Sequence, residues 1–96
     1  MNTEIKAVHF SLENEAREHL EKKITRIHNA ENMIIDLLFT LTKGKDFTAE
    51  VTVNLRWGVS IHLKENDFDL IPAMDKLMDK LDAKIAKEKD KVKEKR

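Results

Sequence analysis

The chain has 96 residues, 41% hydrophobic and 38% charged, enough for one core under a highly charged surface and too short for two. Its 18 basic and 18 acidic residues balance, and the absence of cysteine excludes disulfides, thiolate metal sites and a cysteine nucleophile. No apolar run approaches the roughly 18 residues of a membrane span, and the amino terminus lacks the basic-then-apolar pattern of a signal peptide, so a cytoplasmic protein is expected.

Residues 3–10, β-branched and aromatic, read as a strand. Ser11 is a candidate N-cap, with Glu13 and Glu15 suited to the positive end of a helix dipole. Ala16, Leu20, Ile24 and Ile27 recur at helical spacing, so the first helix should run to about His28 and stop at Asn29. Residues 33–42 are too β-branched and too short to prefer helix, and Lys43-Gly44-Lys45-Asp46 is a turn. Phe47, Ala49, Val51, Val53 and Leu55 then alternate with Thr48, Glu50, Thr52 and Asn54, the cleanest strand pattern in the chain. Arg56-Trp57-Gly58 should reverse the chain into a strand with Val59, Ile61 and Leu63 on one face. Asp67 or Asp69 caps a last helix whose first turn accommodates Pro72.

The predicted order is β-α-β-β-β-α. Hairpins join the last three strands, and the helical crossover makes the first two parallel and right-handed. Each helix has a single apolar stripe, so the expected architecture is α+β: a four-stranded mixed sheet with both helices on one face and a polar face open to water. Residues 1–87 form the domain. Residues 88–96 should be a lysine-rich, weakly ordered tail, because the apolar stripe of the last helix ends at Ile85.

The overall neutrality hides an uneven distribution. Residues 76–96 hold nine Lys/Arg against five Asp/Glu, leaving the rest of the chain net acidic. At ~100° per residue, Leu70, Met74, Leu77, Leu81 and Ile85 share one direction on the last helix. Lys76, Lys80, Lys84, Lys87 and Lys91 form a stripe about a quarter-turn away. Asp75, Asp79, Asp82 and Asp90 lie on the other side, and Glu88 falls within the apolar stripe. Solubility alone is best served by interleaved signs at i,i+4, whereas a lysine flank costs mutual repulsion that a polyanion relieves. The competing reading is a solvated helix end favoured by the macrodipole. On the first helix His19, Lys23 and Arg26 share a flank, opposite Glu18 and Glu21. If the basic flanks of the two helices face each other, they line one groove.

The stretch Asp69-Leu70-Ile71-Pro72-Ala73-Met74-Asp75-Lys76-Leu77-Met78-Asp79-Lys80-Leu81 resembles the Asp-Met-Tyr-x-Ala-Ile-Asp-x-Leu-Ile-Asp-Lys-Leu signature of the ribosome hibernation promoting factors and ribosome-associated translation inhibitors, also described as sigma factor modulation proteins. The segment from Leu12 to Ile27 is similar to the family's first helix, with Arg17, Lys23 and Arg26 in register, and Lys87-Glu88-Lys89-Asp90-Lys91 resembles its Lys-x-Lys-x-Lys ending. Ile71 and Pro72 depart from the usual Tyr and small residue, and Ala83 stands where many members carry a basic residue. The resemblance implies a short-form bacterial stress factor lacking the dimerisation domain of the long forms. Such a factor sits in the decoding region of the small ribosomal subunit, blocks mRNA and tRNA, and favours inactive ribosomes. Lys23, Arg26, Lys76, Lys80, Lys84, Lys87 and Lys91 are then the expected rRNA-binding residues.

Signals for an enzyme are weak. His9, His19, His28 and His62 include no metal-ligand pair at i,i+4, Ser11 and Ser60 lie in no nucleophile motif, and two glycines make no phosphate loop. No catalytic residue, metal, cofactor or small-molecule substrate is expected, and the free protein should be a monomer. Aromatic stacking is scarce: Phe10, Phe39 and Phe47 read as core, and Trp57 as packing at the hairpin end, with stacking on RNA or a partner as its other role. The alternative function is a non-enzymatic module that docks a protein such as a transcription regulator through the sheet face or the last helix. Membrane-surface binding is disfavoured because Val92 is the sole large apolar residue past Ala86.

Overall fold

Alternation on the strands and 3.6-residue spacing on the helices meet in a single core. The structure, a computed structural model, describes residues 1–94. The side chains of residues 28, 29 and 91–94 lie outside the described set, as do residues 95 and 96 entirely. In chain order the elements are β1 (Asn2–Val8), α1 (Asn14–Ile24), a 3-10 segment (Thr25–Ala30), β2 (Ile34–Lys43), β3 (Phe47–Leu55), β4 (Ser60–Asp67) and α2 (Leu70–Glu94). The sheet order is β1-β2-β3-β4; β1 and β2 are parallel and the other two pairs antiparallel. This is the expected α+β mixed sheet.

One face of the sheet is apolar and covered. Leu37, Phe39 and Leu41 of β2, Ala49, Val51, Val53 and Leu55 of β3 and Ile61 of β4 are buried with Leu20 and Ile24 of α1 and Ala73, Met74, Leu77, Met78, Leu81 and Ile85 of α2. A register shift between Ile34 and Asp36 marks a bulge, which lets Ile34 and Leu37 both turn inward. On the opposite face Asp36 accepts from Asn54 (3.1 Å), and Glu50 lies 3.9 Å from both His62 and Lys64.

The boundaries of α1 differ from the sequence reading at both ends. α1 begins beyond Ser11, with Glu13 at the N-cap in extended geometry (φ −73°, ψ 154°) and no side-chain cap; its carbonyl accepts from Arg17 N–H (3.0 Å). The α-helix ends at Ile24, and the chain tightens into the 3-10 segment. Ile24, Ile27 and Ala30 are all buried at strict three-residue spacing, which a 3-10 helix holds on one face and an α-helix does not. At the other end, α2 continues to Glu94 and Glu88 is buried, so packing extends a turn past Ile85.

At the start of α2 the two aspartates divide the capping. Asp67 Oδ1 accepts from Asp69 N–H (3.1 Å), while the Asp69 carbonyl accepts from Ala73 N–H (3.2 Å). Pro72 sits in the first turn, where no intrahelical N–H is lost.

Candidate functional site

Helix α2 lies across β3 and β4, with α1 beside it. Its two charged flanks therefore meet different neighbours. On the β4 side, Lys76 Nζ is 2.7 Å from Asp67 Oδ2, and Lys80 Nζ is 3.2 Å from Glu65 Oε2 and within 3.5 Å of the Lys64 carbonyl. By helical spacing the row continues through Lys84 and Lys87, neither of which has an ion pair among the described residues. Lys91 belongs to the same row, but its side chain lies outside the described residues. The Lys76 contact holds the Asp67 carboxyl below the usual carboxylate range, helped by the Asp69 N–H, and holds the Lys76 ammonium above the usual lysine range. Lys76 is exposed and Asp67 half-buried at the surface, where such pairs contribute little to stability and exchange partners readily.

On the α1 side the charges are complementary. His19 Nε2 donates to Asp75 Oδ1 (2.7 Å), and Lys23 Nζ lies 3.6 Å from the same oxygen. Further along, a cleft of about 180 Å³ is lined by Arg26, Ile27, Asp82, Ile85, Ala86 and Lys89. Partial burial there raises the Asp82 carboxyl; attraction from Arg26 opposes this, repulsion from Asp79 adds to it, and Lys23 opposes it more weakly.

The single groove is thus not formed. α1 docks against the acidic flank of α2, so Lys23 and Arg26 lie across α2 from the Lys76–Lys80 row. The arrangement is electrostatically complementary, since His19, Lys23 and Arg26 meet Asp75 and Asp82, whereas the opposite one would set two lysine flanks side by side. The candidate residues divide into two groups on either side of α2, and the exposed Asp79, Ala83, Ala86 and Asp90 run between them. Lys89, not among the expected rRNA-binding residues, belongs to the α1-side surface. Its signal was its position two turns after Asp82 and one after Ile85.

The phenylalanines read as core pack there, whereas Trp57 does not. Phe39 is buried, and Phe10 and Phe47 are half-buried in an edge-to-face pair (centroids 5.4 Å apart, 78°). Trp57 keeps 42% of its surface in solvent, and Phe68, unremarked in the sequence, keeps 77%. Among the described residues no three His, Asp or Glu side chains are placed to hold a metal ion, and no helix is long and apolar enough to cross a membrane.

Two solved structures share this fold. A ribosomal subunit interface protein from Coxiella burnetii superposes with a TM-score of 0.84 at 24% identity, over 93% of this chain and 98% of that one. The N-terminal domain of Protein Y from Thermus thermophilus gives 0.76 at 24% identity, over 88% and 96%. At that identity the likeness bears on the fold. No curated protein sequence matches this chain. The sequence itself matches the family described as "Sigma 54 modulation protein / S30EA ribosomal protein" from residue 3 to residue 93. With nearly the whole chain inside that match, and the β-α-β-β-β-α fold beneath it, the protein belongs to the Sigma 54 modulation protein / S30EA ribosomal protein family.

Proposed function

We propose that this chain is a ribosome-associated hibernation factor that binds rRNA in the decoding region of the small subunit and obstructs mRNA and tRNA there. Family membership supplies the class of partner, and the similar Coxiella burnetii protein is named for the ribosomal subunit interface. The observation that carries the reading is the sorting of charge on α2, with its lysine row outward over β4 and Asp75 and Asp82 turned toward α1. Lys76, Lys80, Lys84, Lys87 and Lys91 contact phosphates on one side of the helix, and Lys23 and Arg26 on the other. Such contacts fix position without reading sequence, as suits a folded RNA recognised by shape. The protein acts by occupancy, as a cytoplasmic monomer without cofactor or catalysis.

Binding to purified small subunits over a salt series tests this. Replacing Lys84 and Lys87 with Glu should weaken binding and flatten its salt dependence by roughly 0.7–0.9 for each phosphate no longer neutralised, with circular dichroism unchanged. Asp79→Lys, on the exposed back of α2, should do no such harm. Asp82 is unsuited as a control because it faces Arg26. Binding of the double variant equal to wild type at every salt concentration overturns the assignment.

A second reading has one observation behind it. Phe68 and Ile71, exposed at 77% and 37%, lie three residues apart at the start of α2 and would suit a protein partner. Binding through them would persist at high salt, whereas binding through phosphates would not.

A further inference from the structure

The loop joining β3 to β4 holds the chain's single tryptophan in solvent on a rigid support. Gly58 N–H donates to the Leu55 carbonyl (3.1 Å) and Leu55 N–H to the Val59 carbonyl (2.8 Å), with Gly58 left-handed at φ 84°. This is a three-residue hairpin loop closed by a glycine bulge, and its first two residues, Arg56 and Trp57, are exposed. Arg56 N–H donates to the Met33 carbonyl (3.0 Å), pinning the loop to the chain that leads into β2.

The lysine row runs toward this loop. From the Lys76–Asp67 contact to the Lys80–Glu65 contact, α2 advances four residues while β4 retreats two, each about 6–7 Å. Continued at that pace, Lys84 comes level with Leu63, in the half of β4 nearer the loop. Between Arg56 and Lys64 the sequence has no acidic residue. Phe68 is more exposed but is bracketed by Asp67 and Asp69, a setting that repels phosphate.

We propose that Trp57 is a stacking platform for an unpaired RNA base, with Arg56 and the lysine row holding the phosphates that flank it. The proposal rests on the ribosome-binding reading and adds an aromatic contact to it. An exposed indole accepts any base through its π face, and such a contact contributes ~1–3 kcal/mol per base, independent of salt because no counterion is released.

Because RNA contains no tryptophan, indole emission of the wild-type chain reports on this one side chain. Titration with protein-free small-subunit rRNA should quench it. Trp57→Ala should weaken binding to intact small subunits roughly five- to hundredfold at every salt concentration without altering the salt slope, and Trp57→Phe should recover much of the loss while confirming that the loop folds. If Trp57→Ala binds like wild type while the Lys84/Lys87 change weakens binding, stacking is refuted and the ribosome reading stands. Weakened binding to subunits with no quenching by bare rRNA would assign Trp57 to a protein contact and overturn the proposal. Failure of the wild type to bind small subunits removes both.

Discussion

Truncation of Leu77 to Ala tests whether α2 is held to the sheet as described. Leu77 is 0% exposed, one turn after Ala73 and one before Leu81, in the core that includes Val51 and Val53 of β3. The change removes three carbon groups at ~0.8 kcal/mol each, so transfer alone gives about 2.4 kcal/mol. Incomplete collapse of the neighbours adds a cavity cost, for a total of about 2–5 kcal/mol. In a domain of this size each kcal/mol moves the midpoint by roughly 4–8 °C, so Tm should fall by about 10 °C or more. Leu81→Ala, also at 0% exposure, should behave alike, while Leu63→Ala on the half-buried edge strand should cost distinctly less. Urea and thermal unfolding followed by circular dichroism provide the measurement. A loss below about 1 kcal/mol at both helix positions, against the range expected for buried leucines, would refute the docking of α2.

Asp82 gives a pH test. Its folded-state pKa is raised above 3.8, so the fold favours the protonated form, and stability present below that value is lost as pH rises through the folded pKa. Asp82→Asn should therefore gain on wild type as pH goes from 3 to 7, and a pH-independent difference would contradict the burial argument. Gly58→Ala should cost about 1–2 kcal/mol through the left-handed backbone alone, since a methyl there meets nothing within 4 Å; an unchanged Tm would show that the loop can relax. For residues 90–94, beyond Glu88, the last buried position of α2 among the described residues, amide exchange in the free protein should be fast, and strong protection would point to packing by a partner.

The element order and the core were legible because two periodicities coincide. Leu20, Ile24, Val51, Val53, Leu77 and Leu81 stand out by spacing alone, and all six are buried. The boundaries of α1 were less so: Ser11 offered a stronger capping side chain than Glu13, yet the chain enters the helix later. The 3-10 segment was written in the Ile24–Ile27–Ala30 spacing, which an α-helical reading absorbs without notice. The sorting of charge on each helix was also legible. Which flanks would meet was not, because that depends on the side of α2 on which α1 packs, and helical periodicity is silent on placement. The exposure of Trp57 follows from the loop geometry, a three-dimensional property of the Gly58 bulge.

The pairing of Lys76 with Asp67 and Lys80 with Glu65 gives part of the lysine row tethered counterions. A phosphate that captures either lysine sheds a condensed cation, but the carboxylate it displaces stays attached to β4 and can draw a cation back. The salt slope of binding should then register fewer ions than phosphates touched, with Lys84 and Lys87 dominating it. Before any such exchange the internal carboxylates mask half of the four described lysines in the row. On the proposed reading, the free chain should bind incidental polyanions weakly and expose the full row only where a well-placed phosphate outcompetes the tether.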